Sequence, residues 1–306
     1  MGAGGLVVKF LGNDLLGDFL GYNEGSGGSM ISLSPDQFSL LSGLFEPLRF
    51  NLVVDSVIDG NTPGLVFADR LDEPAAGLIW DRQDAILLAG KFVDEMGTII
   101  EEQIIPDARR RWIPEQSIFY PDGSWAAPLM ERFSGYRAEH TGRRFYRFER
   151  LRVNWRERLP EGYGIRRIDP YLLESETLLN AGEMAGWVRS FWATDEDFAR
   201  TGFGYCALSE DAIASWCLTV FASRDQRELG VGTAVDQRGK GLATAVSAAC
   251  VEHCLANGFI PHWHCLDENK PSWALAERIG FTAPVSYQVV RIHLKNQARL
   301  RRICWL

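Results

Sequence analysis

The five residues Gln237-Arg238-Gly239-Lys240-Gly241 separate two stretches of opposite character. Before them, residues 228–233 read as a β-strand. After them, residues 242–256 read as a long helix, which Asn257-Gly258 closes as a left-handed cap. A strand that turns through two glycines into a helix constrains the chain strongly. It demands an α/β arrangement in which the helix packs back onto its sheet. It also leaves the first helical amides unpaired at the mouth of the turn. The helix dipole favours negative charge there, and two glycines let a ligand approach the backbone. Arg238 and Lys240 add charge, and Thr244 adds a hydroxyl. The predicted object is a cradle for a diphosphate.

Two common cradles do not fit. The P-loop needs GxxxxGK followed by Ser or Thr, and no such residue follows a Gly-Lys pair here. A dinucleotide-binding turn needs GxGxxG or GxGxxA. Gly230-x-Gly232 is followed by Val235 where the third small residue belongs.

The 306 residues carry 40 acids against 32 bases, a net charge of −8. That sign disfavours a nucleic-acid coat and suits a cationic partner such as an amine. No apolar run reaches the ~18 residues of a membrane span, and the start lacks the basic n-region of a secretory signal. Neither nucleic acid nor membrane is an expected partner; the oligomeric state is left open. The six cysteines, Cys206, Cys217, Cys250, Cys254, Cys265 and Cys304, include no CxxC pair. They read as free buried thiols of a reducing compartment, hence a cytoplasmic protein. His253, Cys254, His262, His264 and Cys265 match no zinc spacing, so no metal is expected.

Along the chain, residues 1–33 read as a flexible glycine-rich leader and no 20–50-residue repeat is obvious. Residues 34–150 read as an N-terminal α+β domain. Ser34-Pro35 with Gln37 starts a helix. Runs 52–57, 64–68, 77–80, 85–89 and 144–148 look like strands, and a helix over 92–105 is ended by Pro106. The charged segment 150–162, with Leu159-Pro160-Glu161-Gly162, reads as the junction. In the second half 163–168 is a strand, 169–184 and 187–198 are helical, and 202–208 with 212–221 make a hairpin. Residues 259–266 are a strand, a short helix with Pro271 in its first turn follows Asn269, and 286–294 is the last strand. Residues 296–306 form a basic tail.

Arg238-Gly239-Lys240-Gly241-Leu242-Ala243 resembles the [RQ]-x-x-G-x-[GA] pyrophosphate loop of the GNAT superfamily of N-acetyltransferases. Asn269, 31 residues after Arg238, with Ser272 and the Gly280-Phe281 helix end, resembles the family's pantetheine-contacting segment. Gly202-Phe203-Gly204, Ser215-Trp216-Cys217, Pro261-His262-Trp263 and Leu159-Pro160-Glu161-Gly162-Tyr163 resemble the subfamily that includes the zwittermicin A resistance protein. The resemblance is strong over 155–285 and thin over 35–150.

It implies an α/β (α+β) fold. The C-terminal GNAT domain, 155–295, has a mixed, mostly antiparallel sheet flanked by helices, and the N-terminal α+β domain is divergent and GNAT-like. It implies acetyl-CoA as cosubstrate, held in a gap where strands 228–233 and 259–266 splay. Pantetheine pairs with the backbone at Leu229, Val231 and Thr233, and the pyrophosphate lies on Arg238, Gly239, Lys240, Gly241, Leu242, Ala243 and Thr244. Asn269 and Ser272 complete the cosubstrate set. An amine, more readily of a small molecule than of a protein, attacks the thioester directly in a ternary complex. The first candidate for the base is Glu228, with Asp225 as rival. Many family members have Tyr where Ala276 stands, so the expected general acid is missing; Ser272, Tyr205 or water are the substitutes. His264 is a further candidate to point into the cleft, and Trp263 reads as core. The alternative to an enzyme is a non-catalytic acyl-CoA-binding module.

Overall fold

The computed structural model describes residues 30–294. The expected leader, apart from its last residues, and the expected basic tail with Cys304 lie outside them. Twelve strands form one sheet: β1 (Ile31–Ser32), β2 (Leu65–Ala68), β3 (Ala76–Trp80), β4 (Ala85–Gly90), β5 (Glu115–Phe119), β6 (Glu139–Phe148), β7 (Gly164–Arg167), β8 (Gly204–Leu208), β9 (Ile213–Ser223), β10 (Gln226–Thr233), β11 (Ile260–Leu266) and β12 (Phe281–His293). Their order is β1-β2-β3-β4-β5-β12-β6-β11-β10-β9-β8-β7. Only β4/β5 and β10/β11 are parallel; every other pairing is antiparallel.

The two parallel pairs mark a repeated topology that the sequence does not display. A meander β2-β3-β4 leads through a helix over 94–110 to β5, then through the helix Ala126–Arg132 to β6. The meander β8-β9-β10 leads through the helix Leu242–Ala256 to β11, then through the helix Lys270–Ile279 to β12. Each unit closes with a strand that returns antiparallel. Those last strands are exchanged: β12 lies between β5 and β6, and β6 lies between β12 and β11. The chain changes course in the charged segment, tied there by Glu149 N–H to the Gly280 carbonyl and Arg152 N–H to the Ile279 carbonyl. The sheet nevertheless runs unbroken across the expected division between 34–150 and 155–295.

The core follows the same plan. One apolar cluster lies under the helix over 94–110 and includes Trp80, Ile100, Ile118 and Val290. A second lies under Leu242–Ala256 and includes Val246, Cys250, Trp263 and Phe281. A third joins both halves, with Phe45, Val54 and Leu87 beside Trp187, Trp216 and Phe221. Burying such side chains gives ~1.5–3 kcal/mol each before entropy is counted, so the shared cluster binds the halves firmly.

Local expectations are corrected at several points. Residues 52–57 are not a strand but the helix Val53–Ile58. The Asn51 carboxamide oxygen accepts the Val53 N–H at 3.1 Å, and burial on several faces removed the polar side that marks a helix. Pro106 does not end its helix, which continues to Arg110; a π-helical segment, Ile100–Ile104, precedes the proline and re-spaces the backbone bonds. Residues 169–198 form three shorter helices, Pro170–Leu173, Ala181–Phe191 and Asp195–Thr201. Asp169 and Thr194 cap two of them by accepting backbone N–H bonds. Strand β5 had no counterpart in the reading. The Ser34/Gln37 capping box is present, but on a 3-10 helix.

Candidate active site

Strands β10 and β11 run side by side for only three residues, Gln226 with Ile260 through Glu228 with His262. Beyond that point β11 pairs with β6 alone, up to Leu266 with Arg143, and β10 pairs with β9 alone, up to Thr233 with Ser215. The two strands therefore part, and among the described residues no strand pairs with the β11-facing edge of residues 229–233. A bulge sits at the parting, where Glu228 faces Phe221 and Leu229 faces Thr219 across β9. Leu229 and Val231 bury their side chains toward Leu242–Ala256, and Thr233 Oγ1 shares a 2.8 Å hydrogen bond with Ser215 Oγ. What these residues leave on the unpaired edge is backbone rather than side chain.

The open edge runs to the start of the helix Leu242–Ala256. Gly241 stands at its N-cap with φ 81°, and no side chain caps the helix. Gly239 has φ 79°, and nothing lies within 4 Å of where a Cβ would stand on either glycine. The two glycines thus leave the approach to the helix start open, as an anion site requires. Leu242 and Thr244 are buried at that turn, and Ala243 is half-buried. The two cations are differently placed. Arg238 Nε donates to the Thr233 carbonyl at 3.5 Å. Lys240 Nζ donates to Tyr163 Oη at 2.9 Å and Gln237 Oε1 at 2.8 Å, so its charge is spent on the rim.

Glu228 stands at the apex of the gap, 9% exposed. Burial pushes its carboxyl up to about 7; Arg143 opposes that shift and Asp84 adds to it. A carboxyl that titrates there is matched to taking a proton near neutrality. Its rival is elsewhere: Asp225 is exposed, in the turn before β10, at the closed end of the strand pair. Beside Glu228, on the same face, lie His262 and His264 of β11. Burial holds His262 down at about 4 and His264 well below the ordinary histidine value, so both rings are neutral. Phe145 stacks on His264, ring centroids 4.7 Å apart.

The remaining candidates are on the other face or engaged. Asn269 caps the helix Lys270–Ile279, its side chain accepting the Ser272 N–H at 3.2 Å. Ser272 Oγ is buried and accepts Trp263 Nε1–H at 3.1 Å. Ala276 is fully buried. Tyr205 Oη shares a hydrogen bond with His253 Nδ1 at 3.1 Å. The structure thus brings Glu228 and the glycine loop to one gap, but turns the Ser272 hydroxyl into the core. Arg143 and Tyr287 were missed. The only signal for Arg143 is the pair Arg143-Arg144 in an alternating strand, which puts one arginine on each face. Five of the cysteines are buried and free, and among the described residues no His, Cys, Asp and Glu group is arranged to hold a metal. No described helix is long and apolar enough to cross a membrane.

Comparison with known proteins decides the family. The family model for GNAT acetyltransferase matches residues 43–290. The chain belongs to the GNAT acetyltransferase family. The match begins well before the glycine loop, so the exchanged N-terminal half is part of the family's architecture here. The chain is 25% identical over 262 residues to the uncharacterized N-acetyltransferase YdfB of Bacillus subtilis (strain 168), covering 84% of this chain and 96% of that one. A GCN5-related N-acetyltransferase-like protein from Streptococcus suis 89/1591 shares the fold at a TM-score of 0.64 and 21% identity, over 84% of this chain and 98% of that one. A tandem GNAT protein from the clavulanic acid biosynthesis pathway does so at 0.52 and 14%, over 88% and 99%.

Proposed function

We propose that the protein is an acetyl-CoA-dependent N-acetyltransferase acting on a small-molecule amine in the cytoplasm. The observation that carries this reading is the parting of β10 and β11 at Glu228, with a free strand edge leading to an uncapped helix start. The fit of the cosubstrate rests on that shape. Open space above Gly239 and Gly241 admits a diphosphate to the amides of Gly239, Gly241, Leu242 and Ala243. The unpaired edge of residues 229–233 suits the amide-bearing pantetheine arm as a short added strand.

Reaction follows by direct attack in a ternary complex. The amine nitrogen adds to the thioester carbon and a C–N bond forms. The C–S bond breaks, the sulfur leaves as thiolate, and the amine proton passes to Glu228. A free backbone N–H in the bulged stretch near Val231 is suited to stabilise the carbonyl oxygen as it gains charge. The buried, hydrogen-bonded Ser272 and the apolar Ala276 favour solvent as the source of the thiolate's proton. Within the family, the short sequence matches over 155–285 favour the subfamily that includes the zwittermicin A resistance protein.

Ala276 also favours a second reading, an acyl-CoA-binding module that does not turn over. One experiment separates the two. Acetyl-CoA is titrated calorimetrically, and free thiol is then followed with a panel of small amines. Binding with amine-dependent thiol release supports the enzyme, binding without release supports the module, and absence of binding rejects both.

A further inference from the structure

Among the described residues, three buried polar atoms near the gap have no hydrogen-bond partner: Glu228 Oε2, His264 Nε2 and His262 Nδ1. Orphaned buried polar atoms are uncommon and want an explanation. Two of them face each other, with His264 Nε2 and Glu228 Oε2 4.0 Å apart. The far side of the His264 ring is occupied: Nδ1 lies 3.1 Å from Tyr287 Oη, and Tyr287 Oη lies 3.1 Å from Arg143 Nε. The four side chains come from four adjacent strands, β10, β11, β6 and β12, and two of these are the exchanged pair.

We propose that Arg143 and Tyr287 are positioning residues that hold His264 with its single proton on Nε2, directed at the Glu228 carboxylate, so that β6 completes the acetyl-transfer site. The direction of the Arg143 bond follows from what a guanidinium can do, and the direction of the His264 bond is the one this proposal assigns. A guanidinium only donates, so Arg143 Nε gives its hydrogen to the Tyr287 oxygen. The Tyr287 hydroxyl hydrogen then goes to the remaining partner, the lone pair of His264 Nδ1. A neutral imidazole whose Nδ1 accepts must carry its hydrogen on Nε2. That N–H meets Glu228 Oε2, a buried oxygen with no partner among the described residues. A separation of 4.0 Å is long for a formed bond, and catalytic hydrogen bonds commonly tighten when substrate closes the site.

The charged and titratable surroundings agree with a neutral ring. Burial, the Arg143 guanidinium and the neighbouring His262 all disfavour a second proton on His264, against a backbone carbonyl at Phe50 that favours it. Asp84, from the turn before β4, acts on both Glu228 and Arg143. The Phe50 ring lies 4.9 Å from the Tyr287 ring and 6.4 Å from the His264 ring, covering the chain of bonds. An N–H aimed at a carboxylate favours its ionised form and fixes its direction. The role assigned to His264 is to keep Glu228 ionised at a lower pH than burial alone would allow and to turn it toward the gap.

The inference rests on Glu228 being the base, so its test has one arm that does not need turnover. Nitrogen-15 NMR of the imidazoles in the full-length protein should show His264 as the Nε2–H tautomer, and Tyr287→Phe, which removes only the hydroxyl, should lose that fixed tautomer. An Nδ1–H ring in the unmodified protein overturns the proposal whether or not acetyl transfer is observed. The second arm is the pH profile. His264→Phe keeps the stack on Phe145 without the N–H. It should move the acidic limb of kcat upward by about one pH unit and lower kcat about tenfold, with KM for acetyl-CoA unchanged. His264→Gln, whose amide nitrogen reaches the place of Nε2, should restore the limb. Identical limbs in all three proteins overturn the proposal. A protein that binds acetyl-CoA but never releases thiol overturns the acetyl-transfer reading instead, and the tautomer measurement still decides the hydrogen-bond chain.

Discussion

Strands β4 and β10 occupy matching places in the two halves of the sheet. Each ends a meander, each has one parallel neighbour, and each loses it part-way: β4 after Leu87 opposite Phe119, β10 after Glu228 opposite His262. Each then turns into a helix. After β10 the turn carries Gly239 and Gly241 over open space, and the first turn of the helix holds no acid. After β4 the turn is Gly90-Lys91-Phe92-Val93, and the helix opens with Asp94 and Glu95. An added Cβ on Gly90 would run into the Ala75 carbonyl, so that glycine serves packing and offers no face to a ligand. Two carboxylates at a helix start also satisfy the dipole that a diphosphate would otherwise use. Among the described residues, one topology thus offers open glycine backbone for the proposed diphosphate cradle in one half and not in the other, and the side chains of a single turn decide which.

The largest expected effect tests that turn. Gly241→Val puts a branched side chain at φ 81° and into the mouth of the cradle. Calorimetry should show acetyl-CoA affinity falling by about 10²-fold or more, as several amide contacts to phosphate are lost together. Asp94→Asn, at the matching turn of the other half, should leave affinity unchanged. Equal losses in both would break the comparison, since the N-terminal turn would then be binding too.

Next in size is the chemistry at the parting of the strands. Glu228→Gln should keep acetyl-CoA affinity and lower turnover by roughly 10²-fold. Asp225→Asn, in the exposed turn at the paired end, should cost less than about threefold. A reversal of these two results moves the base to Asp225. Turnover should also rise as pH passes through about 7, where Glu228 gives up its proton. With an acceptor amine of pKa ~10 and no side-chain acid, little decline should follow on the alkaline side. A bell-shaped profile would reveal an acid that Ser272 and Ala276 do not supply.

The same carboxyl makes a stability prediction of fixed sign. Its folded pKa of about 7 lies above the ordinary 4.5, so the folded protein holds that proton more tightly than the unfolded chain. The resulting contribution is complete below pH 4.5 and is lost as pH rises through about 7. Glu228→Gln, which cannot ionise, should therefore be more stable than the unmodified protein at pH 8, by up to about 3 kcal/mol. At pH 4 the two should melt alike. A difference that grows toward acid pH would show that the carboxylate is held ionised by partners that the gap does not supply.

How much of this was legible in the sequence differs between the halves for the same reason that their turns differ. Helix 242–256, the caps at Asn257-Gly258 and Asn269, and the glycine loop are local, each announced by residues within a few positions of the feature. The helix Val53–Ile58 is wrapped by the shared core, so its polar face vanished and it resembled a strand. The helix around Pro106 depends on a π-segment that no residue type announces. The exchange of β6 and β12, and with it the placing of Arg143 and Tyr287 beside His264, is a property of pairing between residues some 140 positions apart, such as Arg143 with Tyr287. Alternation predicts which face a residue takes, but not which strand lies next to it.

The smallest expected effect concerns Lys240, which the motif and the charge alike suggest as a diphosphate ligand. Its ammonium is already shared between Tyr163 Oη and Gln237 Oε1 on an exposed rim, 5.5 Å from the Tyr163 ring centroid. A solvated cation in such a place contributes little, typically under ~1 kcal/mol, and salt screens it. Lys240→Met should therefore weaken acetyl-CoA binding by less than about fivefold at physiological salt. Tyr163→Phe, which removes one of the two partners, should strengthen binding slightly if the freed ammonium turns toward the cradle. A loss of 10²-fold in Lys240→Met would mean that the lysine leaves Tyr163 when the diphosphate arrives. The contrast between the two turns would then rest on charge as much as on open glycine backbone.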